Sequence, residues 1–310
     1  MLLSYPRILF ISVVTIMLNA CASSVPANSV DASTGYDVIL LAGQSNMAGR
    51  GVLLNPIDAD GATDAAISMW DPAKGIVEAK DPLVHPELGS KPTGVGLGMS
   101  FAKSYLAQLR RSGYPNRKIL LVGAAWGGTS FIQNDPTYRH RWVVTDDPAV
   151  GGDLYRGAVQ RANAAISAAQ AVDPSSTFKG ILWHQGEGDV NYQGAPSYAA
   201  KHTQLITSLR EHIKGARHAP VVVGELTPCF ISRCEPAVGR SSPEDMATFL
   251  SYLHSISQHL PLAAWVSSNG LTGNAPGDQI HFDLKSQREL GKRYFEKFWE
   301  LTHTTLPLSP

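Results

Sequence analysis

The chain has 310 residues, 44% of them hydrophobic, and its 26 basic residues are matched by 26 acidic ones. Domains usually hold roughly 100–200 residues and α/β domains often reach about 250, so one large α/β domain is as compatible with this length as two smaller ones. Balanced charge with no block of one sign excludes the basic stripe that a nucleic-acid binder needs, which leaves a globular enzyme or a binding module.

At the N-terminus, Arg7 precedes a short apolar run from Ile8 to Leu18. The run is shorter than the about 20 residues of a spanning helix, and a basic residue, a short apolar run and then small residues make the pattern of an export signal. It closes on Leu18-Asn19-Ala20-Cys21. That stretch resembles the lipobox of bacterial lipoproteins, which implies cleavage before Cys21 and a lipid on its sulfur. The expected organisation is a signal peptide at 1–20, a tether of small and polar residues at 21–35, and a single domain at 36–310. The protein is therefore expected to leave a bacterial cytoplasm and to meet a membrane only through its lipid anchor. Of the three cysteines, Cys229 and Cys234 then remain, flanking Phe230 to Arg233. In an oxidising compartment such a pair can close a small loop as a disulfide; the alternative is two unpaired residues in a loop. No Cys-x-x-Cys pair is present, so a zinc ribbon or thioredoxin-type centre has no support.

After the tether, strands and helices alternate. Tyr36 to Ala42 is a near-continuous apolar run of the kind found in parallel strands buried on both faces. Asp58 to Pro92 is rich in Asp, Pro and Gly without a sustained period and reads as a long ordered loop. Met99 to Arg110 has Phe101, Tyr105 and Leu109 on one helical face. Lys118 to Val122 is the next strand, Asp153 to Ala171 a helix, Phe178 to Trp183 a strand and Ser197 to Glu211 a helix. Pro220 to Glu225 is a strand, and Pro243 to His259 a helix whose start carries proline and acids, as a first turn favours. Leu262 to Val266 and Lys285 to Trp299 supply the last strand and helix. Alternation of this kind implies a three-layer α/β/α sandwich around a mostly parallel sheet.

In open α/β sheets, sites gather beyond the carboxyl ends of the strands. Four chemically suggestive stretches fall there: GQSNMAG (Gly43 to Gly49), AAWGGTS (Ala124 to Ser130), WHQGEGD (Trp183 to Asp189) and GDQIHFD (Gly277 to Asp283). None is a phosphate-binding loop: no lysine follows Gly49, and no Gly-x-Gly-x-x-Gly follows the first strand. Ser45 on local sequence reads equally as a helix cap or as a nucleophile at a strand end.

Together the four stretches resemble the SGNH hydrolases, and among them the sialate O-acetylesterase and acetylxylan esterase group, over the range from about Asp37 to about Leu290. The resemblance implies an SGNH-hydrolase (flavodoxin-like) fold and a carbohydrate O-acetylesterase without a cofactor. It places the nucleophile at Ser45 and an oxyanion-binding N–H at Gly127 or Gly128. It places a side-chain oxyanion donor at Gln185, and an Asp-x-x-His pair at Asp278 and His281. Gly188 departs from the pattern, standing where many members carry a small polar residue.

The residue types suit that chemistry on their own terms. A serine hydroxyl needs an adjacent base, and an imidazole titrating near 6.5 can be one. A carboxylate three positions before His281 can set its tautomer and favour the imidazolium formed during attack. Backbone N–H groups at Ser45 and at a glycine, with the neutral Gln185 amide, can hold a developing oxyanion. Glu187 is expected to support the loop around Gln185, and is the reserve candidate for orienting His281. His184, Glu187 and Asp189 lack the His-Glu-x-x-His spacing of a zinc helix, so no metal is expected. Trp126 and Trp142 are core residues by default and candidates for the rim of a sugar site. The expected partner is an acetylated oligo- or polysaccharide. The competing readings are a lipolytic SGNH esterase and a non-catalytic carbohydrate-binding module.

Overall fold

The structure is a computed structural model that describes residues 33–54, 57–91, 93–132, 140–147, 152–191, 194–234, 241–275 and 278–303. The expected signal peptide, Cys21 and all but the end of the tether lie outside the described residues.

Seven strands form the main sheet: β1 (Tyr36–Gly43), β2 (Ile67–Asp71), β3 (Gly75–Glu78), β4 (Lys118–Gly123), β5 (Thr177–His184), β6 (Val221–Gly224) and β7 (Ala263–Val266). Their order is β3-β2-β4-β1-β5-β6-β7, and only β3 runs antiparallel to its neighbour. The five strands expected from apolar runs are β4, β1, β5, β6 and β7, a contiguous parallel set that runs to the β7 edge. Side chains alternate across them: Val38, Leu40 and Ala42 of β1 enter one core, Ile39 and Leu41 the other. On the first face lie α3 (Asp153–Val172), α5 (Ala195–His212) and α7 (Pro243–His254). On the second lie α2 (Gly98–Arg111) and α9 (Leu284–His303), joined by an edge-on contact of Phe101 with Phe298, ring centroids 5.4 Å apart. Leu40 is fully buried between layers, where truncation to alanine costs about 2–5 kcal/mol.

Two local expectations are revised. The stretch 58–92, read as loop, contains the β2–β3 hairpin. Ile67 to Met69 pair with β4, and the turn after Asp71 is closed by its carboxylate accepting from the Ala73 N–H. The hairpin is short and half-exposed at the sheet edge, so it leaves no apolar run in the sequence. The helix expected over 243–259 is broken into α7 and α8 (Ile256–His259) at Ser255, whose hydroxyl turns back onto the Ser251 carbonyl.

After β1 the chain passes through the edge hairpin and then α2 to β4 on one side. From β4 it crosses over β1 through α3 to β5 on the other. The strand order therefore reverses beside β1, and the crevice beyond its C-terminal end is the fold's natural ligand position.

Buried histidines leave a measurable signature. His202 is fully buried under Tyr252, and desolvation lowers its pKa to about 3. An unfolded chain protonates it near pH 6.5 and the folded chain does not. The stability it allows at neutral pH is therefore lost as pH falls from about 6.5 towards 3, by about 1.4 kcal/mol per pH unit. His202→Gln is expected to be less stable than the unaltered protein at pH 7 and to close that gap as the pH is lowered to 4. Urea denaturation at the two pH values reads the difference; parallel curves would show that the imidazole protonates in place.

Candidate active site

β1 ends on Gly43, whose φ of +131° and close approach to β5 leave no room for a side chain: a Cβ would lie 2.1 Å from the His184 carbonyl oxygen. Gln44 is still extended and donates its N–H to that carbonyl at 2.9 Å. Ser45 then opens the four-residue helix α1 (Ser45–Ala48). A strand pinned to its neighbour up to its last residue thus fixes where the Ser45 hydroxyl stands.

Opposite it runs β9 (Asp278–Phe282), paired in a small antiparallel ladder with β8 (Gly273–Asn274). Asp278 and His281 both sit on this strand. The Asp278 carboxylate folds back along it and accepts from both the His281 backbone N–H, at 3.3 Å, and the ring Nδ1–H, at 2.7 Å. With Nδ1 so protonated, Nε2 is the acceptor for the Ser45 hydroxyl, 2.8 Å away. Ser45 is almost buried; Asp278 keeps 45% of its side chain exposed and His281 21%.

The side chain after the serine ties the two elements together. Asn46 is fully buried, donates to Glu187 at 2.7 Å and to the Ile280 carbonyl at 3.1 Å, and accepts from the Phe282 N–H at 3.0 Å. It therefore grips the backbone on both sides of His281. Gln287 of α9 in turn donates to the Asn46 carbonyl at 3.1 Å. Glu187, kept as a reserve partner for the imidazole, points to Asn46 instead and makes no hydrogen bond to His281 among the described contacts. Burial raises its pKa, and its second oxygen has no partner among the described residues.

The end of β4 supplies a second frame. The Gly127 N–H donates to Glu87, a fully buried carboxylate that also holds Arg50 at 2.6 Å. The Gly127 carbonyl accepts from the Lys91 ammonium at 2.6 Å. Gly128 is exposed, in the left-handed region at φ +74°, and its N–H has no acceptor among the described residues; the same holds for the Ser45 N–H. Ser45, His281, Gly127, Gly128, Arg50 and Lys91 face a common cavity of about 460 Å³.

Two sequence expectations are corrected here. Gln185 is fully buried, and its amide nitrogen is used by the Thr129 carbonyl at 3.1 Å and by Asp189 at 2.7 Å, so it does not present a donor to the cavity. Asp189 in turn accepts from the Phe131 N–H, and burial lifts its pKa to about 7. Trp142 is no rim: it is fully buried, edge-on to Trp183 at 4.9 Å, with its indole N–H on Thr129. The polar insertion around it hides a partner 41 residues later in the chain. Trp126 is partly exposed but stacks on His140 with centroids 3.9 Å apart, lining a separate cavity of about 110 Å³. Gly188, the departure noted above, abuts Thr129, where a Cβ would lie 2.6 Å from the carbonyl oxygen. Cys229 and Cys234 are bonded across α6 (Pro228–Ser232), Cα atoms 5.0 Å apart. Among the described residues no group of three or more His, Cys, Asp or Glu is placed to hold a metal.

The sequence reading missed Asn46, Glu87, Arg50, Lys91 and Gln287. Asn46 lay inside a quoted stretch, but its partners Ile280 and Phe282 on β9 are more than 230 residues away. The other four carry no local pattern.

The family described as carbohydrate esterase, sialic acid-specific acetylesterase, matches residues 35–300. The chain belongs to this family. It is 29% identical over 189 residues to a probable carbohydrate esterase of Arabidopsis thaliana, a match that spans 57% of this chain and 64% of that relative's length. An Arabidopsis thaliana structure superposes with a TM-score of 0.65 at 23% identity, covering 86% of this chain and 98% of that one. NanS superposes at 0.63 and 18% identity, covering 87% and 98%. A carbohydrate acetylesterase from Xanthomonas citri superposes at 0.57 and 20% identity, covering 87% and 57%. These solved structures share the fold: a three-layer α/β/α sandwich with a largely parallel sheet, as in SGNH hydrolases.

In this esterase-family chain the Asn46 brace makes its own prediction. Asn46→Ala removes three hydrogen bonds at once, two of them buried, and each buried group left unpaired costs about 1–3 kcal/mol. Thermal denaturation should show a clear loss of stability, and turnover should fall further than the lost stability explains because the strand carrying His281 is freed. Normal turnover in the alanine variant would show that the ladder holds His281 unaided.

Proposed function

We propose that the protein is a serine esterase that removes O-linked acetyl groups from carbohydrates. The observation that carries the reading is the unbroken chain of hydrogen bonds from Asp278 through His281 to Ser45 at an open cavity. Membership of a carbohydrate esterase family supports the substrate class.

Attack begins as His281 Nε2 takes the Ser45 proton and Oγ bonds to the acetyl carbonyl carbon. Asp278 holds Nδ1–H and stabilises the imidazolium that results. The negative oxygen meets the Ser45 and Gly128 N–H groups, two cavity donors with no acceptor among the described residues; Gly127 and Gln185 are left out because Glu87, Thr129 and Asp189 occupy theirs. His281 then gives its proton to the sugar oxygen as the ester C–O bond breaks. Water, deprotonated by the same imidazole, attacks the acetyl-serine, and acetate leaves as the C–Oγ bond breaks and His281 returns that proton to Ser45 Oγ. Every proton moves through one ring nitrogen, and no cofactor enters.

Acetate release from a panel of O-acetylated mono- and oligosaccharides tests the reading. Release from one or more of them, with little activity on long-chain acyl esters, is expected. Preference for long acyl chains would favour a lipolytic esterase, and binding without hydrolysis a carbohydrate-binding module.

Export and lipid attachment at Cys21 belong to the same proposal. Among the described residues no helix is long and apolar enough to cross a membrane. Ser33 and Thr34 hydrogen-bond to Ser175 and Asp173 at the N-terminal end of the sheet. The eight residues of β1 put about 25 Å between that end and Ser45, so an anchored enzyme would keep its cavity turned away from the membrane. Mass spectrometry of the natively produced N-terminus should find acylated Cys21; an unmodified start further along would remove the anchor.

A further inference from the structure

The carbonyl of the peptide unit between Gly127 and Gly128 is held by the Lys91 ammonium, and both glycines and that cation line the reaction cavity. We propose that Lys91 is a positioning residue that aims and strengthens the Gly128 N–H as an oxyanion donor, an inference that rests on the esterase reading above.

A trans peptide is planar, and its C=O and N–H point in opposite directions. The Lys91 Nζ lies 2.6 Å from the Gly127 carbonyl oxygen. Fixing that oxygen fixes the direction of the Gly128 N–H in the same plane. A charge-assisted hydrogen bond to a carbonyl also draws electron density from the amide, which makes its N–H the better donor. The preceding unit is immobilised as well: its N–H, that of Gly127, is held by Glu87, and Glu87 by Arg50 at 2.6 Å. Added bulk at Gly127 would press on this frame. A Cβ there would lie 2.6 Å from the Arg50 guanidinium and 3.3 Å from the Ser45 Cβ. Gly128 completes the turn at φ +74°, which a residue with a side chain would hold only under strain. An acid with its arginine and a lysine thus secure the two peptide units flanking Gly127. The Gly128 N–H, in the cavity lining, has no acceptor among the described residues.

The oxyanion exists only in the transition state and in the tetrahedral intermediates. Weakening its donor should therefore lower kcat with little change in KM, whereas a lysine that gripped the substrate would change KM. Removing a whole donor costs about 10²–10³ in kcat, so removing the group that orients and polarises one should cost about tenfold to a hundredfold.

The test uses the full-length protein, 4-nitrophenyl acetate and a small boronic acid that forms a tetrahedral adduct with a serine oxygen. Lys91→Met is expected to lower kcat by about tenfold to a hundredfold with KM within about twofold, and to weaken boronate binding by a similar factor. Lys91→Arg keeps a cationic donor and is expected to recover most of the loss in both measurements. Ser45 should be labelled by an organophosphonate in every variant. The inference is overturned if Lys91→Met keeps its kcat, if its defect lies in KM, or if boronate affinity stays unchanged while kcat falls. It is also overturned if Lys91→Arg is as impaired as Lys91→Met. An unaltered protein with neither turnover nor labelling at Ser45 would overturn the esterase reading itself, and this inference with it.

Discussion

Ser45→Ala is expected to lower acetyl-ester turnover by about 10⁴-fold or more while leaving the fold intact. The loss is large because the other members of a nucleophile-and-base set do nothing without the atom they act on. What survives is the contribution of the oxyanion donors and of binding. The fold should tolerate the change: the hydroxyl's partner is the His281 ring, and the backbone is held by Gln44 on His184 and by Asn46 on β9. Turnover and thermal stability measured on the same preparation separate the two effects. Near-normal turnover by the alanine variant would remove Ser45 from the reaction.

His281→Ala is expected to cost about as much as Ser45→Ala, and the double variant little more than either, because members of one unit are strongly non-additive. Asp278→Asn should cost less than either. Its carboxylate is 45% exposed, so water can approach the ring, and an asparagine oxygen could still accept from Nδ1–H. An aspartate buried beside its histidine, replaced by asparagine, costs about 10⁴ in a serine protease; a loss of roughly 10–10³ is expected here. Glu187→Gln acts only through Asn46 and should lower turnover less than Asp278→Asn. A near-silent Asp278→Asn beside a crippled Glu187→Gln would assign the orienting role to Glu187 after all.

These expectations show where the sequence was legible. The central strands could be read because a strand buried on both faces must be apolar at nearly every position, as Val38 to Ala42 are. The β2–β3 hairpin could not, since a short edge pair needs no such run. Ser45 on local sequence was a cap or a nucleophile alike, and Asp278 an acid three residues before an imidazole; what joined them into one set was the resemblance of four separated stretches to a known family. Gln185 was legible as a strand-end amide but not in its role, which Asp189 four residues on decides by taking its N–H. Trp142 was core by default and a rim candidate only because the residues around it are polar; the core reading holds, and its buried partners Trp183 and Thr129 come together only in the folded chain. Lys91, Glu87 and Arg50 belong to segments with no periodicity, and their meaning lies entirely in which peptide unit they touch.

The nucleophilic role of Ser45 is tested most directly by acid-quenching the protein during turnover of an O-acetylated sugar and mapping the modified peptide by mass spectrometry. One acetyl group on the peptide containing Ser45, present in the unaltered protein and missing from Ser45→Ala, is the expected result. Acetate released with no acetyl on Ser45, or an acetyl group on another side chain that turns over at the same rate in Ser45→Ala, would contradict it.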